Sequence, residues 1–196
     1  MTCWARPYIN RRLEADPCMS GCRRRGEPLF RRAPLIRLDR ASEVIALQPR
    51  PKVLLVDIEG TLTGFGPTQL SILAAIQQFD RFMRDNGFKL NSVHYVSNYK
   101  MSDVGDEFDS YKGRLHLCAG KPFFALPTDF LNLGVAAGVV GDQYLTDGLL
   151  AWRYGFSFLL VNSGIRKPLG PAVQFYAGRL ISSMFFESPS RDQRRT

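Results

Sequence analysis

The sequence predicts an α/β fold of Rossmann-like type, a mostly parallel sheet flanked by helices with no large cap domain. Three observations predict it. Short runs of β-forming apolar residues recur from Pro51 onward, they alternate with segments of helical periodicity, and polar residues follow directly after several of them. A continuous apolar run marks a strand covered on both faces. Alternation of such strands with helices is the pattern of a parallel sheet in a layered fold.

Val53 to Val56 is the first run. A Gly-rich turn spans Gly60 to Gly66, and Pro67 opens a helical pattern in which Leu70, Leu73, Ala74, Ile76 and Phe79 recur at spacings near three and four. Gly87 supplies the stop. Further strands are predicted at Val93–Val96, Leu115–Cys118, Ala137–Val140 and Phe156–Val161. Helical segments are expected around Phe124–Leu133 and Asp147–Tyr154, and Pro122 can occupy the first turn of a helix. The last helix is predicted from Pro171 to Phe186, with Val173, Tyr176, Leu180, Ile181, Met184 and Phe185 on one broad face. Its polar face offers only Arg179 as a base, so it is read as closing one side of the sheet in preference to lying on a membrane.

The chain has 196 residues, 45% apolar and 22% charged, with a net charge of +8. These values are ordinary for a folded domain and exclude wholesale disorder, and the length suits one domain with an appendage. The longest apolar stretch, Leu133 to Gly141, is far short of the ~18 residues a membrane-spanning helix needs. No apolar segment near the N-terminus resembles a secretory signal, and the acids Glu14 and Asp16 argue against an import peptide. Cys3, Cys18, Cys22 and Cys118 have neither CxxC spacing nor matching histidines, so reduced thiols in a cytoplasmic protein are expected. Residues 1–50 carry eleven Arg and no Lys against five acids. Residues 1–33 are therefore read as a basic arm, residues 34–187 as the folded domain and residues 188–196 as a polar tail. Such an arm favours polyanions, whether nucleic acid or an anionic membrane surface, without specifying either.

Ligands of open α/β sheets bind beyond the carboxyl ends of the strands. Here the first strand is followed by Asp57-Ile58-Glu59-Gly60-Thr61-Leu62-Thr63, the second by Ser97-Asn98, and the fourth by Gly141-Asp142-Gln143, with Asp147 five residues on; Gly120-Lys121-Pro122 lies between. Mg²⁺ takes one or two carboxylates besides water and phosphate oxygens, and Asp57 and Asp142 can supply them. A carboxylate can also accept a phosphoryl group covalently. Ser97, Asn98 and Lys121 can neutralise the transferring group. Glu59, two residues beyond Asp57, can protonate a leaving alkoxide and then activate water. Each feature alone is weak, since an Asp after a strand is usually a turn former; their order and placement together carry the inference. His94 and His116 fall inside strands and are read as packing residues, and Tyr99, Phe108 and Tyr111 as a loop packed by its own side chains.

Taken together, these motifs resemble the haloacid dehalogenase (HAD) superfamily of aspartyl-phosphate phosphatases. Gly141-Asp142-Gln143 with Thr146-Asp147, then Arg153, Gly155 and Arg166-Lys167-Pro168, is similar to its YqeG-type class IIIA branch, and the resemblance covers roughly residues 34–186. It implies Asp57 as nucleophile and Glu59 as general acid/base that also lends its backbone carbonyl to Mg²⁺. It further implies Ser97 and Asn98 with Lys121 on the phosphate, Asp142 on the metal and Asp147 in support. YqeG-type relatives include phosphatidylglycerophosphate phosphatases, so the expected substrate is a phosphate monoester, with a phospholipid phosphate at an anionic membrane surface as the specific expectation. One residue departs from the pattern: the superfamily's usual Asp at the third position of the first motif is Glu59 here, which moves the carboxyl group outward by about 1.5 Å. The enolase-phosphatase type resembles this chain in carrying Glu there. The rival expectation is a catalytically weakened HAD scaffold that binds nucleic acid or membrane through the Arg-rich arm. Asp57 and Ser97 are 40 residues apart and Ser97 and Lys121 only 24, which leaves no room for a cap and predicts an open site.

Overall fold

The computed structural model describes residues 31–98, 105–117, 119–126, 130, 133–165 and 167–187. The basic residues 1–30, Tyr99, Cys118, Arg166 and the tail from 188 lie outside them. Seven strands form one sheet: β1 (Ala33–Leu38), β2 (Val53–Val56), β3 (Val93–Val96), β4 (Leu115–His116), β5 (Ala137–Gly141), β6 (Ser157–Val161) and β7 (Phe186–Glu187), in the spatial order β4-β3-β2-β5-β6-β1-β7. Every adjacent pair is parallel. The α/β Rossmann-like arrangement is thus the one the sequence predicts, and among the described residues no large cap stands over it.

The sheet is buried because its strands send alternate side chains to two opposed cores. Leu54 and Val56 of β2 join a core with Ile72, Ile76 and Met83 of α1 (Gln69–Asp85). Leu55 between them joins the other, with Leu150 of α2 (Leu149–Tyr154) and with Phe175 and Phe185 of α3 (Leu169–Phe185) packed against it. Thr68 caps α1, its Oγ1 accepting from the Ser71 N–H at 3.2 Å, and the chain leaves the helix through Gly87 at φ +81°. Gly178 seats α3, because a Cβ there would stand 2.5 Å from Cβ of Tyr144.

Four local expectations are corrected. β1 was not anticipated: Ala33–Leu38 contains Pro34 and Arg37 and follows an Arg-rich segment, which hides its strand character, yet Leu35–Leu38 pair in register with Phe158–Val161. Pro122 opens no helix; the Phe123 N–H donates to Gly120 O at 2.9 Å and closes a turn. Phe124–Leu126 are irregular, and the described end of the expected Phe124–Leu133 helix leads into a short 3₁₀ turn at Gly134–Ala136. A π-helical turn, Tyr144–Gly148, precedes α2 and carries Asp147.

One buried ion pair ties α1 to the β3–β4 edge. Both guanidinium arms of Arg114 donate to Asp80, at 2.6 and 3.1 Å, and one also reaches the carbonyls of Leu90 and Val93. The Tyr95 hydroxyl donates to the same carboxylate at 2.6 Å. Removing one member of such a pair strands a buried charge. Arg114→Met is expected to lower unfolding stability by about 3 kcal/mol in urea denaturation, with Arg114→Lys restoring part of the loss.

Candidate active site

β2 and β5 are neighbours at the point where the strand order reverses: from β2 the chain moves outward to β3 and β4, then returns to β5 and moves outward the other way to β6. That switch point is where α/β sheets leave a crevice at the carboxyl ends. The Asp57 N–H still donates to Val140 O at 2.8 Å, so the side chains following the two strands start from a fixed register. Carboxylate oxygens of Asp57, Asp142 and Asp147 lie within 4.8 Å of one another, and all three residues are buried.

Lys121 enters from the turn after β4. Its Nζ donates to Asp57 Oδ1 at 2.6 Å and to Asp147 Oδ1 at 2.5 Å. The second oxygen of Asp57 accepts from Thr61 Oγ1 at 3.2 Å. Lys167 Nζ donates to Asp142 Oδ2 and lies between the rings of Phe65 and Phe175, 5.6 and 5.1 Å from their centroids. Among the described residues, the buried Asp142 Oδ1 has no hydrogen-bond partner. A buried anionic oxygen left in that condition is costly, and a hard cation among three carboxylates would satisfy it. All three ligand groups are oxygen donors, as Mg²⁺ requires. The residues present therefore fit the metal: Asp57 and Asp142 would hold it, with Asp147 in support.

Two glycines make the crowding possible. Gly60 has φ +84°, and a Cβ there would lie 2.6 Å from Asp142 Oδ2; at Gly141 a Cβ would meet the Asp147 carboxyl group at 2.3–2.5 Å.

The other predicted residues take distinct places. Ser97 is buried at the end of β3, its N–H donating to His116 O at 2.9 Å and its carbonyl accepting from Ala119 N at 3.0 Å. The Asn98 side chain holds the main chain of Lys121 at both ends, accepting from its N–H at 2.7 Å and donating to its carbonyl at 3.5 Å. It thereby grips the main chain that carries the ammonium group. Glu59 is on the Asp57 loop, but its carboxylate is not part of the three-acid cluster; Oε1 accepts from the Gly66 N–H at 2.7 Å. The histidines pair with each other, His94 Nδ1 to His116 Nε2 at 3.3 Å, and Phe108 and Tyr111 are buried in the core beside Tyr95. Thr61 and Lys167 are site residues that the motif reading did not assign. Thr61 lies four residues after Asp57 in the first motif and Lys167 just before α3, but neither has a local pattern to mark its partner.

No family model, curated protein or solved structure matches this chain.

Burial and the neighbouring charge of Asp147 push the Asp57 carboxyl well above the ordinary range, against the pull of Lys121. Asp142 is pushed up to about 6 by burial and by Asp147, with Lys167 opposing. Burial alone would lower Lys121, but Asp147 and Asp57 overcome it and hold the ammonium above its ordinary value. A carboxyl whose pKa rises on folding retains protons that the unfolded chain has released, so its contribution to stability is lost as pH rises through the folded value. In metal-free buffer the melting temperature is expected to fall from pH 5 to 7.5. Asp142→Asn should flatten that slope in thermal denaturation monitored by circular dichroism.

Proposed function

We propose that this protein is a Mg²⁺-dependent phosphomonoesterase of HAD type that works through an aspartyl phosphate on Asp57. The observation that carries the reading is the convergence of Asp57, Asp142 and Asp147 around Lys121 at the β2–β5 switch point, with one Asp142 oxygen buried and unsatisfied. Bound Mg²⁺ would neutralise charge on the transferring phosphoryl group and help hold it in line.

The chain's own residues supply the remainder. Thr61 and Lys121 fix both oxygens of Asp57, so one carboxylate oxygen can attack phosphorus as the ester P–O bond breaks. Glu59 gives its proton to the leaving alkoxide. It then takes a proton from water, whose oxygen attacks phosphorus, releasing inorganic phosphate and restoring Asp57. Ser97 and Lys121 stand at the adjoining strand ends to receive the phosphate oxygens. Asn98 keeps Lys121 in register.

The substrate class within this reading is a phosphate monoester that needs no enclosing lid, with a phospholipid phosphate as the specific proposal. Two exposed apolar side chains support it: Leu70 in the first turn of α1 and Phe123 two residues beyond Lys121 both stand on segments leaving the carboxyl ends of strands. They give the rim of the site an apolar component beside the chain's net positive charge.

Hydrolysis of p-nitrophenyl phosphate with Mg²⁺ is the direct test. Asp57→Asn is expected to remove at least about 10³-fold of kcat while leaving the fold intact by circular dichroism; no turnover by the wild type with any divalent ion defeats the reading. Mg²⁺ should raise the melting temperature of the wild type and leave Asp142→Asn unmoved. Glu59→Ala should cost about 10²–10⁴-fold on an alkyl phosphate and much less on p-nitrophenyl phosphate, whose phenolate leaves without a proton.

A further inference from the structure

α3 has a second face that the described residues leave uncovered. Its inner face, with Phe175, Gly178 and Phe185, packs on the body. On the outer face Leu169, Val173, Tyr176, Leu180 and Met184 are 58–83% exposed. Taking about 150 Å², the lower figure for an aromatic side chain, as an upper size for these mostly aliphatic groups, they and the partly exposed Ile181 present on the order of 600 Å² of apolar surface. The largest patch on a typical monomer is about 300–600 Å², and a standard interface takes about 800 Å² from each partner.

The stripe is also symmetric along the helix. Its members are spaced 4, 3, 4 and 4, and with exposed Ala177 included they are arranged evenly about a point between Tyr176 and Ala177. Turning the helix over about that point places Leu169 on Met184, Val173 on Leu180, and the large Tyr176 on the small Ala177. An isologous two-fold contact requires this reciprocity, residue i meeting j while j meets i. The same operation sets Arg179, the single charged residue of α3, opposite Gln174, so no like charges meet. We propose that α3 is the seam of a symmetric dimer of this chain, packed antiparallel against α3 of a second copy.

Two features favour a second copy over a lipid surface. Helices that lie in a membrane interface carry several bases on their polar face, and α3 has one. α3 also runs from the carboxyl end of β6 back to the start of β7, and both strands point the same way in the sheet. Its outer face therefore lies along the flank of the sheet, while the site opens at the strand ends, where the helix begins. Docking through α3 leaves the entrance in the plane of neither copy's seam. The Gly178 seat holds the face preformed, so association orders little that is not already ordered.

Sedimentation velocity on the full chain over about 1–100 μM, a range set by the affinities of standard-size contacts, tests the contact. A particle of twice the 22.1 kDa chain mass is expected. Leu180→Glu should shift it to monomer, raising the dimer dissociation constant at least about 100-fold, roughly 3 kcal/mol. The melting temperature at low concentration should not change, since that side chain is 83% exposed. Val173→Lys combined with Leu180→Glu should restore the dimer, because the two-fold sets each lysine against the glutamate of the other copy. A wild type that stays monomeric throughout overturns the proposal, as does a dimer indifferent to Leu180→Glu. Failure of the charge pair to restore association overturns the antiparallel register. A monomer that floats with phosphatidylglycerol vesicles and loses that binding in Leu180→Glu assigns the face to lipid and overturns it too. Each readout is independent of chemistry at Asp57.

Discussion

Lys121 reaching two buried aspartates is the interaction on which the architecture of the site depends. Asp57 and Asp147 come from β2 and from the turn after β5, and each would repel the other in a medium with little water. Nζ sits 2.6 and 2.5 Å from their oxygens and makes their proximity tolerable. A buried pair of this kind is weak evidence for stability, because the desolvation of each ion offsets most of the attraction. Its retention is better understood as positioning: it fixes a carboxylate oxygen and an ammonium group in one crevice with a third carboxylate, of which one oxygen has no partner among the described residues. With all three carboxylates ionised, the charge count is short of neutral against Lys121 and Lys167 among the described residues. A divalent cation would tip that balance and a phosphate dianion would restore it, which is the electrostatics the proposed phosphoryl transfer calls for.

The scaffold makes that arrangement by register and crowding. Parallel pairing of β2 with β5, Val56 opposite Val140, sets Asp57 level with Gly141, the residue before Asp142, and the missing side chains at Gly60 and Gly141 let loop and carboxylate approach within distances that a Cβ would forbid. Asn98 acts one step further out, gripping the main chain of Lys121 from the end of β3. Ser163 does the same for the Asp57 loop, its hydroxyl donating to Gly60 O at 3.0 Å. The crevice is therefore braced from the ends of β3 and β6 as well as from the two strands that flank it.

Much of this was legible in the residues, for physical reasons that also mark the boundary. The runs at Val53–Val56, Val93–Val96 and Ala137–Val140 are buried on both faces, so local composition alone reveals them, and a polar residue after such a run can only stand at the sheet's edge. β1 was not legible, because Ala33–Leu38 owes its strand conformation to pairing with β6 more than a hundred residues away, and Pro34 and Arg37 obscure the local pattern. The same holds for partners. Nothing near Lys167 predicts that it meets Asp142, and nothing near Asn98 predicts that its amide is taken up by Lys121. The helical periodicity of α3 was visible, but periodicity grouped Phe185 with Val173, Tyr176, Leu180 and Met184. Packing separates them, turning Phe185 inward with Phe175 and Gly178 and the others outward.

Glu59 shows how one methylene changes what a loop can do. The motif expected at this turn has Asp at the position of Glu59, a side chain one methylene shorter. The longer Glu59 spans the turn and accepts from the Gly66 N–H, while Gly60 N donates to Thr63 O and Leu62 and Thr63 N–H groups both donate to Ile58 O. The loop between Asp57 and α1 is thus closed on itself, with the carboxyl group as its outer clasp. A carboxyl group held in this way has little freedom to wander, which suits the acid/base role proposed for it. Loop order therefore depends on a single side chain, whose extra methylene lets it reach from position 59 to the amide of Gly66.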